Sequence, residues 1–484
     1  MAPYLFPYPT TGPVTLSNVF VDRQLAYSTE LAEATVARTR LQIALKAAAG
    51  NEPGSSALAV LEAVQVYHPY LRGIIACLET DDLLVKGELA FPWKSSLTAS
   101  LTSNSVLTFP TIEAEHYYVV LAYSIALANY AHAILNALPR FEAEPGSKAV
   151  PNIIVEDAQK TNAGLTRAVD LLSQASGVAD WAAANVSPGL EPARQATGGR
   201  LGRSKWPVET GPEAFRALSM VLLADAHITA IRKLLLPVLA HQLFAPPGPP
   251  LPSNHPSASL LSKLYLYVSE LYTSSAALFK VHEATRSSSS GRKLFSGIRK
   301  DRELPETDAA DSEVIPELKR YLRKEALLSS ALAYKWLGVD AGENSKGAKV
   351  GEAVAWVKEA QSRLGELEDG KVADRMKGLS LGKGGERRKE ARKVRQGRVD
   401  RELADIAAWT SAYTKMNDTV AFQPIPPAST LVAPPGRPIF AAKVFTPPAP
   451  KFAPLERSSE DSLRKVEPDA KQEEASYAGK GSYF

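Results

Sequence analysis

The sequence predicts a mainly α-helical protein assembled from antiparallel helix pairs, and three observations lead to that fold class. Between Thr111 and Leu138 there is no glycine or proline, and apolar or small residues recur at steps of three and four. Several other long segments repeat this period, and turns rich in proline, glycine or serine separate them. Alternation of apolar and polar residues, which is typical of extended chain, is confined to the two ends.

The composition places the chain among ordered proteins with a sizeable core. Apolar residues make up 45% of its 484 residues and charged residues 22%. One cysteine, Cys77, excludes an internal disulfide framework and fits a reducing compartment. The N-terminus lacks the basic and apolar regions of a signal peptide, and the most apolar windows contain or adjoin histidines and charged residues. We therefore expect neither a signal peptide nor a membrane span.

Taken in order, the chain begins with an extended lead-in over residues 4–22, where prolines and a glycine interrupt the alternation. Helical periodicity follows over 24–49, 56–66, 70–85, 111–138, 161–184, 212–241, 257–285, 316–337 and 386–416, and a further helical hairpin over 331–343 and 351–367. The helix over 111–138 is the longest in the first half, roughly 40 Å at 1.5 Å per residue. Its alanines allow close neighbours, so we interpret it as a central strut.

The connections between these helices are predicted to be irregular. Residues 140–160 and 185–212 read as loops, and 287–311 as a mobile polar loop. After the last helix, prolines and alternation predict an extended segment that ends near residue 450. Residues 451–484 have no periodic apolar face and are expected to form a disordered tail.

The charge is small overall but unevenly distributed. The chain has 56 basic and 52 acidic residues, whereas the segment 371–401 has twelve Lys or Arg and four Asp or Glu. Such a segment could contact an anionic membrane or an acidic partner, although a solvated loop that enters a charged helix face is the simpler interpretation. No aromatic residue interrupts the basic run, which argues against nucleic acid.

No residues support an enzyme, a metal site or a cofactor. The seven histidines are scattered and form no cluster with metal-ligand spacing. Asp81 and Asp82 could suggest the magnesium motif of an all-helical lipid or isoprenoid enzyme, but three apolar residues follow them, so a helix-end cap is the simpler role. The glycines at 382–385 lack the spacing of a phosphate-binding loop, and Cys77 lies in an apolar run typical of a buried, inert thiol.

Several motifs resemble a known family. The order Phe91-x-Trp93-Lys94-x-Ser, followed by a helix that contains Glu115 near its start and ends in an Ala/Leu-rich run, is similar to the Bro-type domain of endosomal sorting adaptors related to Alix. The phrases around Trp336 and Asn417 also fit, and residues 331–343 and 351–367 resemble the fungal pH-response regulators of the palC branch. The resemblance covers about residues 4–450. It implies one elongated Bro-type domain over 1–450, with TPR-like helix pairs and a C-terminal segment that returns along the array.

The resemblance also implies a binding site. In Bro-type domains an apolar groove holds the C-terminal amphipathic helix of an ESCRT-III filament subunit. Carried over by position, its residues fall on Leu260, Lys263 and Leu264, and on Ile231 or Ala230 of the preceding helix. Leu260 and Leu264 are four residues apart on one helical face, so ordinary core packing explains them equally well.

The function implied is a non-enzymatic adaptor without cofactor or metal. It would link ESCRT-III to other proteins of the fungal alkaline-pH signalling pathway, whose output is proteolytic activation of a transcription factor. It would be cytoplasmic and recruited peripherally to the plasma membrane or endosomes. The alternatives are a general multivesicular-body sorting adaptor of the same fold and, more distantly, an all-α lipid or isoprenoid enzyme.

Overall fold

In the part of the chain that the structure describes there are nine long helices, and each packs against the next one in the sequence. A computed structural model describes residues 3–50, 56–99, 106–138, 155–202, 204–244, 248–287, 314–376 and 383–455. The helices are α1 Ser28–Gly50, α2 Ala57–Glu79, α3 Ile112–Asn136, α4 Val155–Asn185, α5 Ala214–Phe244, α6 Ala258–Ser287, α7 Pro316–Asn344, α8 Val350–Met376 and α9 Lys383–Met416. This sequential packing confirms the predicted mainly helical array.

Short strands surround the first helix pairs, and two of them belong to the lead-in, whose predicted extended form is interrupted by a short helix at Leu16–Val19. They are β1 Thr10–Thr11, β2 Phe20–Asp22, β3 Leu83–Val85, β4 Phe91–Lys94 and β5 Leu107–Phe109. The strand β4 lies between β1 and β5 in one antiparallel sheet, and β2 pairs with β3 in another. In β4 the buried side chains are Phe91 and Trp93, two residues apart, because alternate residues of a strand face the same side.

The predicted strut is α3, and it is buried along most of its length. Both α3 and the stretch Ala214–Val238 of α5 are long and apolar enough to cross a membrane, but 72% and 83% of their most apolar windows lie inside the protein. Alanines on α3, such as Ala122, Ala126 and Ala128, let neighbouring helices approach closely. The two helices are therefore the core of the array, which agrees with the sequence-based exclusion of a membrane span.

Two predicted helices turn out to be one. The prediction of a break between 56–66 and 70–85 is wrong, because α2 is continuous through Pro69 and ends at Glu79, and residues 83–85 form β3. A proline removes one intrahelical hydrogen bond, but the buried side chains on both sides hold α2 together. The Pro69 carbonyl also accepts a hydrogen bond from the Lys451 N–H at 3.0 Å.

Other boundaries also differ from the prediction. The phrase 331–343 is the C-terminal part of α7, and it forms the hairpin with α8. The segment predicted as a loop at 185–212 contains two short helices, Ser187–Leu190 and Glu191–Ala196, and a small hairpin. Most of the basic segment is helix rather than loop, since 371–376 belong to α8 and 383–401 to α9. The predicted mobile loop at 287–311 lies outside the described residues from 288 onward.

The C-terminal segment turns back along the array in extended form. Residues 436–455, here called the strap, cross α6, α5, α4 and α2 in turn and end beside the start of α1. They extend past the expected boundary at 450 to Leu455, whose N–H donates to Asp82 at 2.9 Å. Asp82 also accepts from the Tyr27 hydroxyl, so its carboxylate holds the strap instead of capping α2, whose C-cap is Thr80. Residues 456–484, the rest of the expected tail, lie outside the described residues.

Candidate functional site

The motif residues of the first half form a buried polar network. The Glu115 carboxylate accepts from Trp93 Nε1 at 2.7 Å, from Arg38 Nε at 2.8 Å and from the Tyr67 hydroxyl at 3.1 Å. All four side chains are buried, and Arg38 also donates to Gly12 O and to Thr11 Oγ1. Burial is the largest single influence on Arg38 and opposes its charge, but Glu115 and Tyr67 together outweigh burial and raise the pKa of the guanidinium.

Two of the predicted motif residues, Trp93 and Glu115, take part in this network, and Phe91 and Lys94 lie beside it on β4. Trp93 must lie on the inner face of β4 to reach Glu115, and Phe91 shares that face, while Lys94 pairs in register with Thr10 of β1. A buried ion pair of this kind joins the lead-in, α1, α2 and α3. We therefore assign these motif residues to the framework rather than to a binding surface.

The later motif residues are also structural. Trp336 is buried in α7, with the Lys335 ammonium 4.9 Å from its ring and the His255 ring packed at the same centroid distance. The Asn417 side chain accepts from the Gln423 N–H and donates to the Gln423 carbonyl, both at 3.0 Å. That pair of bonds closes the turn after α9, where Phe422 has a φ of 49°.

The predicted binding residues lie where α5 and α6 pack side by side. Ile231 is fully buried and Leu264 is 1% exposed, whereas Leu260 and Lys263 are half-buried and remain accessible. The face therefore divides into two parts. Leu264 and Ile231 belong to the core beneath it, and only Leu260 and Lys263 are available to a partner.

Leu234 on α5 is an exposed leucine that the sequence analysis did not single out. The His227 ring packs on Tyr267 at 5.1 Å, and the Ser275 hydroxyl donates to the Ala217 carbonyl at 2.9 Å, which sets the antiparallel register of α5 and α6. One turn beyond Ile231, that register places Leu234 opposite Leu260, and Leu234 is 39% exposed. The sequence did contain a signal for Leu234, because a residue three positions after Ile231 on a helix lies on nearly the same face.

The strap crosses the same helices next to these residues. The Arg437 N–H donates to the Lys263 carbonyl at 3.0 Å, and Gly436 lies directly against the backbone of Tyr267. On α5 the Ile439 N–H donates to His227 Nε2 at 3.1 Å, while His227 Nδ1 donates to the Leu223 carbonyl. Burial lowers the pKa of His227, which keeps Nε2 unprotonated as the acceptor that this contact needs.

The described residues offer little else for chemistry. They contain no group of three or more His, Cys, Asp or Glu side chains placed to hold a metal ion. His68 and His116 face each other with their Nε2 atoms 3.1 Å apart, and burial lowers their pKa values to about 3 and about 4. Cys77 is a buried free thiol whose pKa is raised by burial, as expected for an inert side chain.

The chain matches a known protein family over most of its length. The family model of the BRO1-like domain matches residues 16–478, so the chain belongs to the BRO1-like domain family. Within that family it is 57% identical over 489 aligned positions to the pH-response regulator protein palC of Cryptococcus neoformans, and the alignment covers 100% of both chains. The resemblance to the Bro-type family and to its palC branch is thereby confirmed.

Solved structures with the same fold come from more distant proteins. The ALIX BRO1 domain in complex with CHMP4C aligns at a TM-score of 0.53 and 15% identity, over 94% of this chain and 99% of the other. ALIX bound to a SIVmac239 late-domain peptide aligns at 0.56 and 14%, over 96% of this chain and 53% of that one. A Bro1 domain described for endosomal targeting aligns at 0.51 and 15%, over 92% and 93%. At these identities the likeness shows a shared fold.

Proposed function

We propose that this protein is a non-enzymatic adaptor that binds the C-terminal amphipathic helix of an ESCRT-III filament subunit and assembles the fungal alkaline-pH signalling complex. The observation that carries the proposal is the 57% identity to palC, a pH-response regulator, over the full length of both chains. The shared fold with an ALIX BRO1 domain that is found in complex with CHMP4C supports the ESCRT-III partner. Proteolytic activation of a transcription factor would be the output of the assembled complex.

The accessible part of the α5–α6 face is the proposed contact. Leu234 and Leu260 offer apolar side chains at one level of two antiparallel helices, and Lys263 adds a positive charge one turn along α6. An amphipathic helix laid along this face would bury the two leucines and place an acidic residue near Lys263.

The experiment is titration calorimetry of the protein with the isolated C-terminal helix of the ESCRT-III filament subunit. We expect Leu260→Asp to weaken binding by roughly thirtyfold, about 2 kcal/mol for a central anchor, without loss of folding. Leu234→Asp should act in the same direction. Val420→Asp, at an exposed position after α9, is the matched control and should bind like the parent.

Leu264→Asp would test the same site poorly. Leu264 is buried, so a carboxylate there would be desolvated and would lower the free energy of unfolding before it affected binding. A folded Leu260→Asp variant with parental affinity would show that the carried-over face is not the binding site.

A general endosomal sorting adaptor is the alternative, and the Bro1 domain described for endosomal targeting shares its fold. A deletion strain separates the two functions. Loss of growth at alkaline pH with normal cargo sorting supports the pH-signalling adaptor, whereas defective sorting with normal alkaline growth supports the alternative.

The protein is further proposed to act in the cytoplasm and to reach the plasma membrane or endosomes as a peripheral protein, with weak help from the basic segment 371–401. Sedimentation with vesicles of phosphatidylserine and phosphatidylcholine tests that contribution. We expect the bound fraction to fall as salt rises from about 0.05 to 0.3 M, because the Debye length shortens from above ~10 Å to below ~8 Å and weakens the attraction between charges. Salt-independent binding would contradict it.

A further inference from the structure

The outer face of the first helix pair carries apolar side chains that no described residue covers. Val36 and Ile43 on α1 are 53% and 63% exposed, and Leu58 and Val66 on α2 are also exposed. Helices inside the array have one long helix before them and one after, whereas α1 is the first long helix and packs on one other, α2, and on the short elements of the lead-in. The end of a helical array normally needs a polar outer face to stay apart from other molecules, so this face is arranged for a contact.

The residues of α1 on this face form a self-complementary pattern. Ala32, Val36, Thr39, Ile43 and Ala47 follow one another at steps of three and four, which places them on one stripe of the helix. The order of residue types is the same from either end of the stripe. An alanine is at each end, a β-branched residue (Val36 or Ile43) comes next, and Thr39 is near the middle. When two copies of α1 pack antiparallel about a two-fold axis between positions 39 and 40, Val36 of each copy lies opposite Ile43 of the other. The alanines at 32 and 47 then meet in the same way.

The charges at the ends of the stripe fit the same arrangement. Glu33 and Lys46 are exposed and lie at equal distances from the proposed axis. An antiparallel pair therefore brings a carboxylate of one copy to the level of an ammonium of the other at both ends. A parallel pair in register would align like charges, which is unfavourable.

The size of the face sets the expected strength. Helices α1 and α2 each have 23 residues, about 35 Å at 1.5 Å per residue. With helix axes ~9 Å apart and each helix ~10 Å across, the face is ~19 Å wide and measures about 650 Å² per copy and about 1,300 Å² in total, near the lower limit for a specific stable interface. A groove of about 330 Å³ between α1 and α2 offers space for side chains of the second copy, and its lining combines apolar residues with two charged ones: Ala32, Glu33, Val36, Ala37, Arg40, Val66 and Tyr70.

We propose that a second copy of this chain docks on the α1–α2 face through a two-fold axis near Thr39. The dimer places four helices against one another and leaves the α5–α6 face of each copy accessible. One consequence rests on the proposed function: a dimer would present two sites to a filament and would bind it by avidity, with a gain that depends on the spacing of the subunits.

The test is the mass of the full-length protein in solution between about 1 and 100 μM, measured by sedimentation equilibrium. A chain of 52.1 kDa should approach twice that mass as concentration rises. Val36→Glu places a charge at the stripe and should weaken dimerisation at least tenfold. Val420→Glu carries the same change at an exposed position after the last helix and should dimerise like the parent, provided that both variants keep the parental thermal midpoint.

A second measurement locates the axis. Thr39→Cys places one thiol of each copy beside the axis, and Cys77, the natural cysteine, is buried. A short bis-maleimide should cross-link this variant into dimers and should leave Thr273→Cys, an exposed position on α6, unlinked.

Any of four results would overturn the proposal. The mass could stay that of one chain up to 100 μM, the dimer could persist in Val36→Glu, or the Thr39→Cys dimer could fail to cross-link. A monomeric full chain that dimerises once residues 456–484 are removed would also overturn it, because the chain's own C-terminal segment would then be the occupant. Binding of the ESCRT-III helix is measured separately, so neither proposal depends on the outcome of the other experiment.

Discussion

Glu115 shows how a single residue can organise the N-terminal half of the fold. Its carboxylate is fully buried and receives hydrogen bonds from three side chains that come from α1, α2 and β4. A buried carboxylate is tolerated only when a positive charge and several donors surround it, and Arg38 supplies that charge. The network therefore ties together elements that are far apart in the sequence.

The Arg38–Glu115 pair leads to a stability prediction. Arg38→Met should lower the free energy of unfolding by about 3–5 kcal/mol, because it leaves the Glu115 charge buried without a cation. The double variant Arg38→Met/Glu115→Leu should recover part of that loss in urea denaturation. Arg216→Met, which breaks the exposed pair with Glu213, is the control and should change stability by less than about 1 kcal/mol. If Arg38→Met and Arg216→Met lowered the free energy of unfolding equally, this account would be contradicted.

Asp225 is a second buried carboxyl group, and it predicts a pH dependence. Burial raises its pKa to about 7, although the Tyr272 and Tyr321 hydroxyls, each 2.5 Å from Oδ1, act in the opposite direction, while Glu325 nearby adds to the increase. The folded state thus holds this proton more tightly than the unfolded chain, whose Asp pKa is about 3.9. The stabilisation it contributes is complete below pH ~4 and is lost as pH rises through 7.

Asp225→Asn replaces the carboxyl group with an amide that does not titrate, so it isolates the effect of this titration on stability. The difference in unfolding free energy between parent and variant should shift in favour of the variant as pH rises from about 4 to 8. The measurement is urea denaturation of both proteins at several pH values. A difference that stays constant over this range would show that Asp225 is ionised in the folded protein throughout.

Among the elements, the strap depends most on the close approach of backbones. A Cβ atom added to Gly177 of α4 would lie 1.6 Å from the Lys443 carbonyl oxygen, and one added to Gly73 of α2 would lie 2.9 Å from the Phe452 ring. Between these positions Phe445 packs on Trp181, Arg72 donates to the Pro448 carbonyl, and Lys443 pairs with Asp170. The helices are thus shaped to receive an extended segment that has no secondary structure of its own.

Gly177→Ala should displace the strap from α4. We expect faster hydrogen exchange at the Lys443 amide, which donates to the Ser173 carbonyl, and a lower thermal midpoint. Gly365→Ala on α8 is the matched control, because its Cβ would meet nothing within 4 Å and alanine in a helix is favoured by about 0.5–1 kcal/mol. Unchanged exchange at Lys443 in the Gly177→Ala variant would show that the strap does not depend on this contact.

For the whole molecule, the array separates a rigid framework from two accessible faces. The family motifs around Trp93, Glu115, Trp336 and Asn417 are used to hold helices and turns together. The α5–α6 face and the α1–α2 face lie on different helix pairs and are proposed to serve different partners.

The amino-acid sequence by itself determined the helical class, most helix positions and the membership of the BRO1-like family. Helical periodicity and turn residues act locally, and the motif order around Phe91–Lys94 is read directly. Only the tertiary structure decided that Pro69 lies inside one continuous helix, that Leu264 and Ile231 are buried while Leu234 and Leu260 remain accessible, and that Asp82 binds the strap. The physical reason is that spacing along a helix shows which residues share a face, whereas burial depends on which distant segment packs against that face.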